Sequence, residues 1–356
     1  MRNLFFVFVA VLFFSCNHIK THIESANESK ENNGGNVTVA DYFNYGDTGI
    51  QSAGIKMVPI STPAGTFHVW TKRFGNNPRI KILLLHGGPA MGHEYMECFE
   101  SFFPKEGFEF YEYDQLGAPY SDQPTDTSLW TIPRYVEEVE QVRKAINADS
   151  TNFYVLGNSW GGILAMEYAL KYQKNLKGMI VADMVASCPD YNKYAEEVLA
   201  KQMDPKVLKE IKDIEVRKDF SNPRYEELLM PNFYQQHICR LNPWPEPVVR
   251  DFNHFDNAKV SKQIYVIMQG PSEFGLSGRL LNWDIKNRLH EIYIPTLMVG
   301  AKYDTMDPKA MEGQSKMVQH GQYLYCPNGS HMCMWDDQKI FMDGVIKFIK
   351  EVDGKS

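Results

Sequence analysis

A serine stands between glycines in the run GNSWGG, residues 157–162, which has the spacing Gly-x-Ser-x-Gly. The apolar segment FYVL, residues 153–156, comes directly before this run, and a stretch of helical character, residues 163–172, follows it. A serine in this setting occupies a sharp, strained turn, and the glycines let neighbouring backbone approach without a Cβ clash. The pattern predicts that Ser159 is a nucleophile for acyl transfer. A plain strand-to-helix turn is the alternative.

A serine hydroxyl is a weak nucleophile until an imidazole takes its proton, and the imidazole needs an acid that orients it. Sheets that carry such a turn supply the acid and then the histidine, each on a loop after a later strand. Asp304 follows the predicted strand 294–299 and is the expected acid, whereas Asp307 precedes a proline and is expected to cap the next helix. His331 follows the predicted strand 323–326 and is the expected base.

Acyl transfer also needs backbone N–H groups that bind the developing oxyanion. The residue after the nucleophile, Trp160, is expected to supply one of them, and the loop after an earlier strand the other. This loop begins with HGGP, residues 86–89, and Gly88 is the expected donor because a glycine lets the backbone approach the substrate. Taken alone, the motif is equally consistent with a Gly-Pro turn without chemistry.

The elements that must position these residues can be predicted from hydrophobic patterning. From residue 65 onward, short β-rich runs alternate with helical stretches, with strands expected at 66–74, 80–85, 108–113, 153–156, 176–182, 294–299 and 323–326. Continuous apolar runs are typical of buried parallel strands. The alternation therefore predicts an α/β fold with a mostly parallel sheet flanked by helices.

The alternation stops between about residues 187 and 286, where proline and tryptophan are frequent, as in NPWP at 242–245. We predict that residues 187–286 form a mainly helical cap. The cap would be inserted into a core made of residues 41–186 and 287–356.

Composition restricts the class of function. The chain has 356 residues, of which 44% are hydrophobic, and a formal net charge of −7. This length suits either one large core or a core with an inserted subdomain. No cluster of Lys and Arg accompanies the mild acidity, so nucleic-acid binding is not expected. Metal-protease, phosphate-loop and dinucleotide motifs are missing, and no metal or cofactor is expected.

The N-terminus predicts export. Residues 4–14 are apolar and follow Arg2, but they are too few to span a bilayer, which favours a signal peptide over residues 1–15. Ser15 precedes Cys16 as in a bacterial lipobox, so Cys16 is the expected site of lipidation. The polar stretch that continues to residue 40 predicts a flexible tether. A lipid-anchored protein of the cell envelope, periplasmic or on the outer membrane, is expected; ordinary secretion is the alternative.

With these residues in place, the chain resembles the proline iminopeptidase family of α/β-hydrolases. The matching segments are HGGP at 86–89, YDQLG at 113–117, GNSWGG at 157–162, GAKYD at 300–304 and GSHM at 329–332 with Trp335. The segment IMQGPSEF, residues 267–274, resembles the subgroup that includes the archaeal tricorn-interacting aminopeptidase. The likeness runs from about residue 45 to the C-terminus and implies an α/β-hydrolase fold.

The resemblance also implies an activity, the release of N-terminal residues, often proline, from short peptides. Carboxylates in the cap of the family bind the free α-amino group, and Glu273 matches such a position. A salt bridge within the cap is the alternative for Glu273. Amidase, esterase or lactonase activity on another small acyl substrate is the alternative function, followed by a non-catalytic binding lipoprotein. The oligomeric state is left open.

The chain departs from the family pattern near the expected pocket. Thr305 stands where the tricorn-associated relatives have a second glutamate, and Ala90 replaces the glycine that commonly ends the HGGP run. The usual Gly-x-Gly-Arg-Ser reads GAPYS here, at residues 117–121. These departures leave hydrolysis intact and point away from strict proline specificity.

Overall fold

One eight-stranded sheet organises the protein, whose computed structural model describes residues 38–46 and 51–354. The strands are β1 Ile55–Thr62, β2 Gly65–Phe74, β3 Lys81–Leu85, β4 Glu109–Tyr113, β5 Phe153–Asn158, β6 Gly178–Ala182, β7 Thr296–Ala301 and β8 Gly321–Cys326. Their order is β1-β2-β4-β3-β5-β6-β7-β8. The pairs from β4 to β8 are parallel, and only β1 with β2 and β2 with β4 run antiparallel. The predicted, mostly parallel sheet is confirmed.

Helices cover both faces of this sheet. The α-helices are α1 Val39–Tyr42, α2 Ile132–Ala145, α3 Trp160–Tyr172, α4 Cys188–Tyr194, α5 Pro205–Arg217, α6 Pro223–Leu229, α7 Gln235–His237, α8 Glu246–Asn257, α9 Lys259–Met268, α10 Pro308–Ser315, α11 Cys333–Asp336 and α12 Gln338–Asp353. The core containing α2 and α3 takes Leu83 and Leu85 of β3, and the core containing α12 takes Ile82 and Leu84. Because successive side chains of a strand point to opposite faces, β3 is apolar throughout.

The sequence did not predict β1, which forms the edge of the sheet. Only two of its apolar side chains, Val58 and Ile60, are well buried, and they alternate with exposed positions. Pro59 between them argues against a central strand because proline donates no hydrogen bond to a ladder. An edge strand tolerates the proline, and the short turn after Thr62 pairs β1 with β2 as a hairpin.

Six helices, α4 to α9, lie between β6 and β7 in the chain. Part of this segment has a small hydrophobic core of its own, which includes Leu199, Ile211, Tyr225, Leu228 and Phe233. The division of the chain into a cap at 187–286 and a two-part core stays a prediction.

The predicted signal peptide and Cys16 lie outside the described residues, as does the predicted tether up to residue 37. The described chain begins at Thr38, whose side chain caps α1. Within residues 38–46 and 51–354, no helix combines the length and apolar character that a membrane crossing requires.

Candidate active site

The turn between β5 and α3 holds Ser159 in an unusual backbone conformation. Its φ is 56° and its ψ is −123°, a region that costs a non-glycine residue about 1–3 kcal/mol. Three backbone hydrogen bonds hold it there, from Ser159 N to Ala182 O at 3.0 Å, from Gly162 N to Ser159 O at 2.7 Å and from Ile163 N to Ser159 O at 3.3 Å. The turn therefore has the strained geometry that the Gly-x-Ser-x-Gly spacing predicts for a nucleophile.

The glycines around Ser159 are required by close backbone contacts. A Cβ on Gly157 would lie 2.0 Å from the carbonyl oxygen of Gly161. A Cβ on Gly161 would lie 1.9 Å from the carbonyl oxygen of Leu85, at the end of β3. Any side chain at either position would push α3 away from the sheet and displace the serine.

Asp304 and His331 meet after neighbouring strands, β7 and β8. The Nδ1 atom of His331 lies 2.7 Å from Oδ1 of Asp304, and both side chains are buried. Burial lowers the pKa of His331, but the negative charges of Asp304 and Glu273 outweigh this and raise it above its usual value. An imidazole oriented in this way by a carboxylate can accept a proton at Nε2 and hold it as an imidazolium.

Thr305 joins this pair through its hydroxyl. Its Oγ1 donates a hydrogen bond of 3.2 Å to Oδ1 of Asp304 and lies 3.3 Å from Nδ1 of His331. The other carboxylate oxygen, Oδ2, is buried and has no hydrogen-bond partner among the described residues. The Asp304 carboxylate is thus held through one oxygen, which His331 and Thr305 share.

The loop after β3 lies against the serine turn. A Cβ on Gly87 would lie 3.2 Å from Cβ of Ser159, so the loop reaches the nucleophile. The N–H of Gly87 donates to the Tyr95 hydroxyl at 2.7 Å. The N–H groups of Gly88 and Trp160, by contrast, donate to no atom of residues 38–46 and 51–354. Both predicted oxyanion donors therefore remain available to a ligand.

Gly88 has a backbone that only glycine adopts easily. Its φ is 111°, and a Cβ there would lie 2.6 Å from the backbone nitrogen of Met91. Ala90, two residues later, also has a positive φ, of 65°, although it is not a glycine. The loop is therefore sharply folded at the predicted oxyanion donor.

Tyrosine hydroxyls surround Glu273, which follows α9. The Tyr265 hydroxyl donates to Oε1 of Glu273, and the Tyr191 hydroxyl donates to the backbone carbonyl oxygen of Glu273. The backbone N–H of Glu273 donates to the Tyr234 hydroxyl at 3.3 Å. The amide of Gln269 lies 3.5 Å from Oε2. These four partners fix both the backbone and the carboxyl group of Glu273.

The electrostatics of Glu273 link it to the pair of Asp304 and His331. Burial raises the pKa of Glu273 above its usual value, while His331 and the Tyr265 hydroxyl offset part of this increase. Within residues 38–46 and 51–354, no Lys, Arg or His side chain forms an ion pair with Glu273. A salt bridge within the cap, the alternative for this residue, thus finds no partner there.

Sequence reasoning missed the tyrosines around Glu273. Tyr191, Tyr234 and Tyr265 come from different helical segments, and their separations in the chain carry no signal that they converge. It also missed the role of Gln115, which follows β4. Gln115 accepts a 2.7 Å hydrogen bond from the indole N–H of Trp160. The YDQLG match contained this residue but did not indicate its partner.

Three buried ionisable residues, His93, Asp114 and Asp251, hold the loop after β3, which carries Gly88 and is called the oxyanion loop below. His93 Nδ1 lies 2.7 Å from Asp114 Oδ1. Burial lowers the pKa of His93, but Asp114 outweighs this and raises it to about 9. Asp251 of α8 accepts hydrogen bonds from the N–H groups of Gly92, at 2.9 Å, and Tyr95, at 3.3 Å. Burial, with the charge of Asp114, raises the pKa of Asp251 to about 8.

Comparison with known proteins identifies relatives of this chain. A family model described as the alpha/beta hydrolase fold matches residues 81–338. The chain is 72% identical over 297 residues to the proline iminopeptidase of Flavobacterium johnsoniae, a match that covers 83% of this chain and 98% of that protein. It is 72% identical over 302 residues to the proline iminopeptidase of Elizabethkingia meningoseptica, covering 84% and 99%.

Solved structures agree on the fold. The crystal structure of VinJ superposes with a TM-score of 0.77 at 24% identity and covers 84% of this chain and 98% of its own. The crystal structure of a proline iminopeptidase from Mycobacterium smegmatis has a TM-score of 0.74 at 24% identity, with the same coverage. At this level of identity the likeness concerns the fold alone, and it confirms the predicted arrangement of sheet and helices.

Proposed function

This chain belongs to the proline iminopeptidase family of α/β-hydrolases, and we propose that it is a serine aminopeptidase acting on short peptides. It would release N-terminal proline or another small apolar residue. The observation that carries the proposal is the environment of Glu273. Tyrosines fix this carboxyl group, and no basic side chain of the described residues pairs with it. It also interacts electrostatically with His331. Such a carboxyl group suits the positive amine of a free N-terminus.

The proposed reaction begins with attack of the Ser159 hydroxyl on the first peptide carbonyl. His331 accepts the hydroxyl proton, and Asp304 holds the imidazole in the orientation that this requires. The carbonyl oxygen becomes an oxyanion, which the N–H groups of Gly88 and Trp160 would bind. His331 then gives its proton to the departing amine, and the shortened peptide leaves.

The acyl-enzyme that remains is an ester between Ser159 and the released residue. A water molecule attacks this ester and gives one proton to His331. His331 then passes this proton to the Ser159 oxygen as the ester C–O bond breaks, which restores the serine hydroxyl and the neutral imidazole and frees the released residue. One peptide bond is cleaved and one water consumed for each residue released.

Thr305 bears on which residue is released. With a threonine rather than a glutamate beside Asp304, Glu273 supplies the amine site with a single carboxyl group. A site with one carboxyl group constrains the geometry of the substrate amine less than a site with two, and it therefore distinguishes the secondary amine of proline less sharply from a primary amine. We therefore expect N-terminal residues other than proline to be accepted.

The test compares proline and alanine β-naphthylamides with their N-acetylated forms, and uses Ser159→Ala as a blank. Turnover of the free-amine substrates and none of the blocked ones supports the proposal. Equal turnover of blocked amides, or of simple esters and lactones in preference to both, favours an amidase, esterase or lactonase. Failure of the wild-type protein to react with a fluorophosphonate probe favours a binding protein without catalysis.

We also infer that the enzyme is exported and anchored in the cell envelope by a lipid on Cys16. The apolar residues 4–14 after Arg2 and the Ser15-Cys16 pair support this inference. Expressed in a bacterium fed a labelled fatty acid, the full chain is expected to carry the label and to enter the detergent phase. A Cys16→Ser variant that keeps both properties would show that the anchor is wrongly assigned.

A further inference from the structure

A buried chain of hydrogen bonds connects the oxyanion loop, the serine turn and the histidine loop. We propose that its central members, Asn158 and Tyr95, are positioning residues that hold these three parts of the site in register. The proposal rests on the serine-hydrolase function proposed above, since it concerns how that reaction is supported. Neither residue touches the reacting atoms.

The first half of the chain runs from the oxyanion loop to the serine turn. The Gly87 N–H donates to the Tyr95 hydroxyl at 2.7 Å, and this hydroxyl donates to Oδ1 of Asn158 at 3.0 Å. Tyr95 is 1% exposed and Asn158 is 2% exposed, so water does not compete for these bonds. Gly87 precedes the predicted oxyanion donor Gly88, and Asn158 precedes Ser159. The two bonds thus connect the neighbours of both reacting groups.

The second half runs from the serine turn to the histidine loop. The Asn158 Nδ2 atom lies 3.3 Å from the carbonyl oxygen of His331 and 3.3 Å from Oδ2 of Asp183. A backbone carbonyl oxygen can only accept, so it must face the NH₂ group of Asn158, which leaves Oδ1 for Tyr95. One amide side chain therefore uses its oxygen and both of its N–H donors.

Asp183, which directly follows β6, is the last member of this chain of hydrogen bonds. It is fully buried with a φ of 55°, an unusual conformation for a residue that is not glycine. The Cys333 thiol, two residues after His331, donates to Oδ2 of Asp183 at 3.2 Å. Burial and the charge of Asp304 raise the pKa of Asp183 well above its usual value.

Acyl transfer depends on the distance between an oxyanion donor, a nucleophile and a base, which must be held within about 0.5 Å. Here these groups come from loops after β3, β5 and β8, and the sheet pairs only β3 with β5. Asn158 adds a side-chain link between the loops after β5 and β8, which the sheet does not join directly, and Tyr95 adds a second link between the loops after β3 and β5. Removing one link leaves a buried polar group unsatisfied and lets one loop move against the others.

The test measures steady-state hydrolysis of proline β-naphthylamide and the rate of labelling by a fluorophosphonate for Tyr95→Phe and Asn158→Ala. We expect kcat and the labelling rate to fall by about 10- to 100-fold, less than the roughly 100- to 1,000-fold cost of losing an oxyanion donor, because the donors stay and only their support is lost. KM should change by less than about 3-fold because the partners of Glu273 are untouched. The double variant should fall little further than the worse single variant, since both changes break the same chain.

Tyr168→Phe is the matched control, because it removes another fully buried hydroxyl, which donates to Glu140 at 2.9 Å on the far part of α3. It should lower the melting temperature like Tyr95→Phe but leave kcat unchanged. Should Asn158→Ala fail to fold, Tyr95→Phe alone carries the test, because it removes only one buried hydroxyl.

Three results would overturn the proposal. They are a kcat for Tyr95→Phe within about 3-fold of wild type, losses that multiply in the double variant, and a kcat loss of the same size in Tyr168→Phe. A wild-type protein that is labelled by the probe but does not cleave proline β-naphthylamide would refute the proposed substrate alone. The labelling rates of the variants would still decide whether the network positions the site.

Discussion

Thr305 donates its hydroxyl to the same oxygen of Asp304 that faces His331, at 3.2 Å. This bond competes with the imidazolium for the charge on Oδ1. In Thr305→Val the whole charge faces His331, so its pKa should rise and the acid limb of the kcat/KM profile should move to higher pH. We expect a loss of about 3- to 10-fold in kcat/KM at neutral pH, in keeping with one hydrogen bond of about 1 kcal/mol.

Thr305→Ser is the control for this prediction, because it keeps the hydroxyl and loses only the methyl group. It should restore both the rate and the position of the acid limb. A serine variant as impaired as the valine variant would indicate that packing of the methyl group, and not the hydrogen bond, matters at this position.

Ser159→Ala should lower kcat by about 10⁴-fold or more, because the nucleophile is lost while the oxyanion donors and the amine site remain. Alanine can take the same backbone conformation, so the melting temperature should change by no more than about 2 °C. Residual turnover close to wild type, or labelling by a fluorophosphonate, would contradict the assignment of the nucleophile. Circular dichroism of both proteins is the check on folding.

Glu273→Gln should raise KM for free-amine substrates by about 10- to 100-fold, in the range expected for a charge-assisted hydrogen bond of about 1.5–3 kcal/mol. Esters of similar shape without the amine should be hydrolysed as before. Tyr265→Phe, which removes one partner of the carboxyl group, should raise KM in the same direction but less. An equal effect on both substrate types would remove Glu273 from amine recognition.

Ala90→Gly should stabilise the protein by about 0.5–1 kcal/mol, because a φ of 65° is costly for alanine and free for glycine. Urea unfolding at neutral pH measures the change. Ala169→Gly, at a buried position within α3, should do the opposite and destabilise by about 0.5–1 kcal/mol. Destabilisation by both variants would mean that the buried methyl group of Ala90 contributes more than its strain.

The free energy of unfolding should fall as pH rises from about 6.5 to 9. The folded pKa of Asp251 is about 8 and that of His93 is about 9, both raised from their usual 3.8 and 6.5. The folded protein therefore holds protons that the unfolded chain has released, and this contribution is lost as pH rises through the folded values. A decrease of roughly 1–3 kcal/mol between pH 6.5 and 8 follows from these shifts. Urea unfolding at several pH values measures it, and Asp251→Asn should flatten the curve.

The positions of Ser159, Asp304 and His331 were predictable because each follows a strand, and apolar runs mark strands in the sequence. The parallel sheet then brings these strand ends to one edge, so chain order alone indicates which residues can meet. The sequence did not indicate the edge strand β1, because this strand is half exposed and contains Pro59. A strand of this kind is recognisable only once its hairpin partner is known.

The surroundings of Glu273 were not predictable from residue types or spacing. Its position came from resemblance, and its partners depend on how separate helical segments pack. In the sequence, Tyr191 and Tyr265 look like ordinary core tyrosines. Only the direction of their hydroxyl groups, toward Glu273, distinguishes them from such residues. The same is true of Asn158, whose position inside the serine motif says nothing about a bond to the carbonyl of His331.

The hydrogen bonds that hold Glu273 come from helical segments, through Tyr191 on α4, Tyr234 after α6 and Tyr265 on α9. Ser159, Asp304 and His331, by contrast, follow the ends of strands. Under the proposed function, substitutions in these helices can therefore change which peptides bind while Ser159, Asp304 and His331 keep their arrangement. In evolution, such a protein can acquire new substrates without first losing hydrolytic activity.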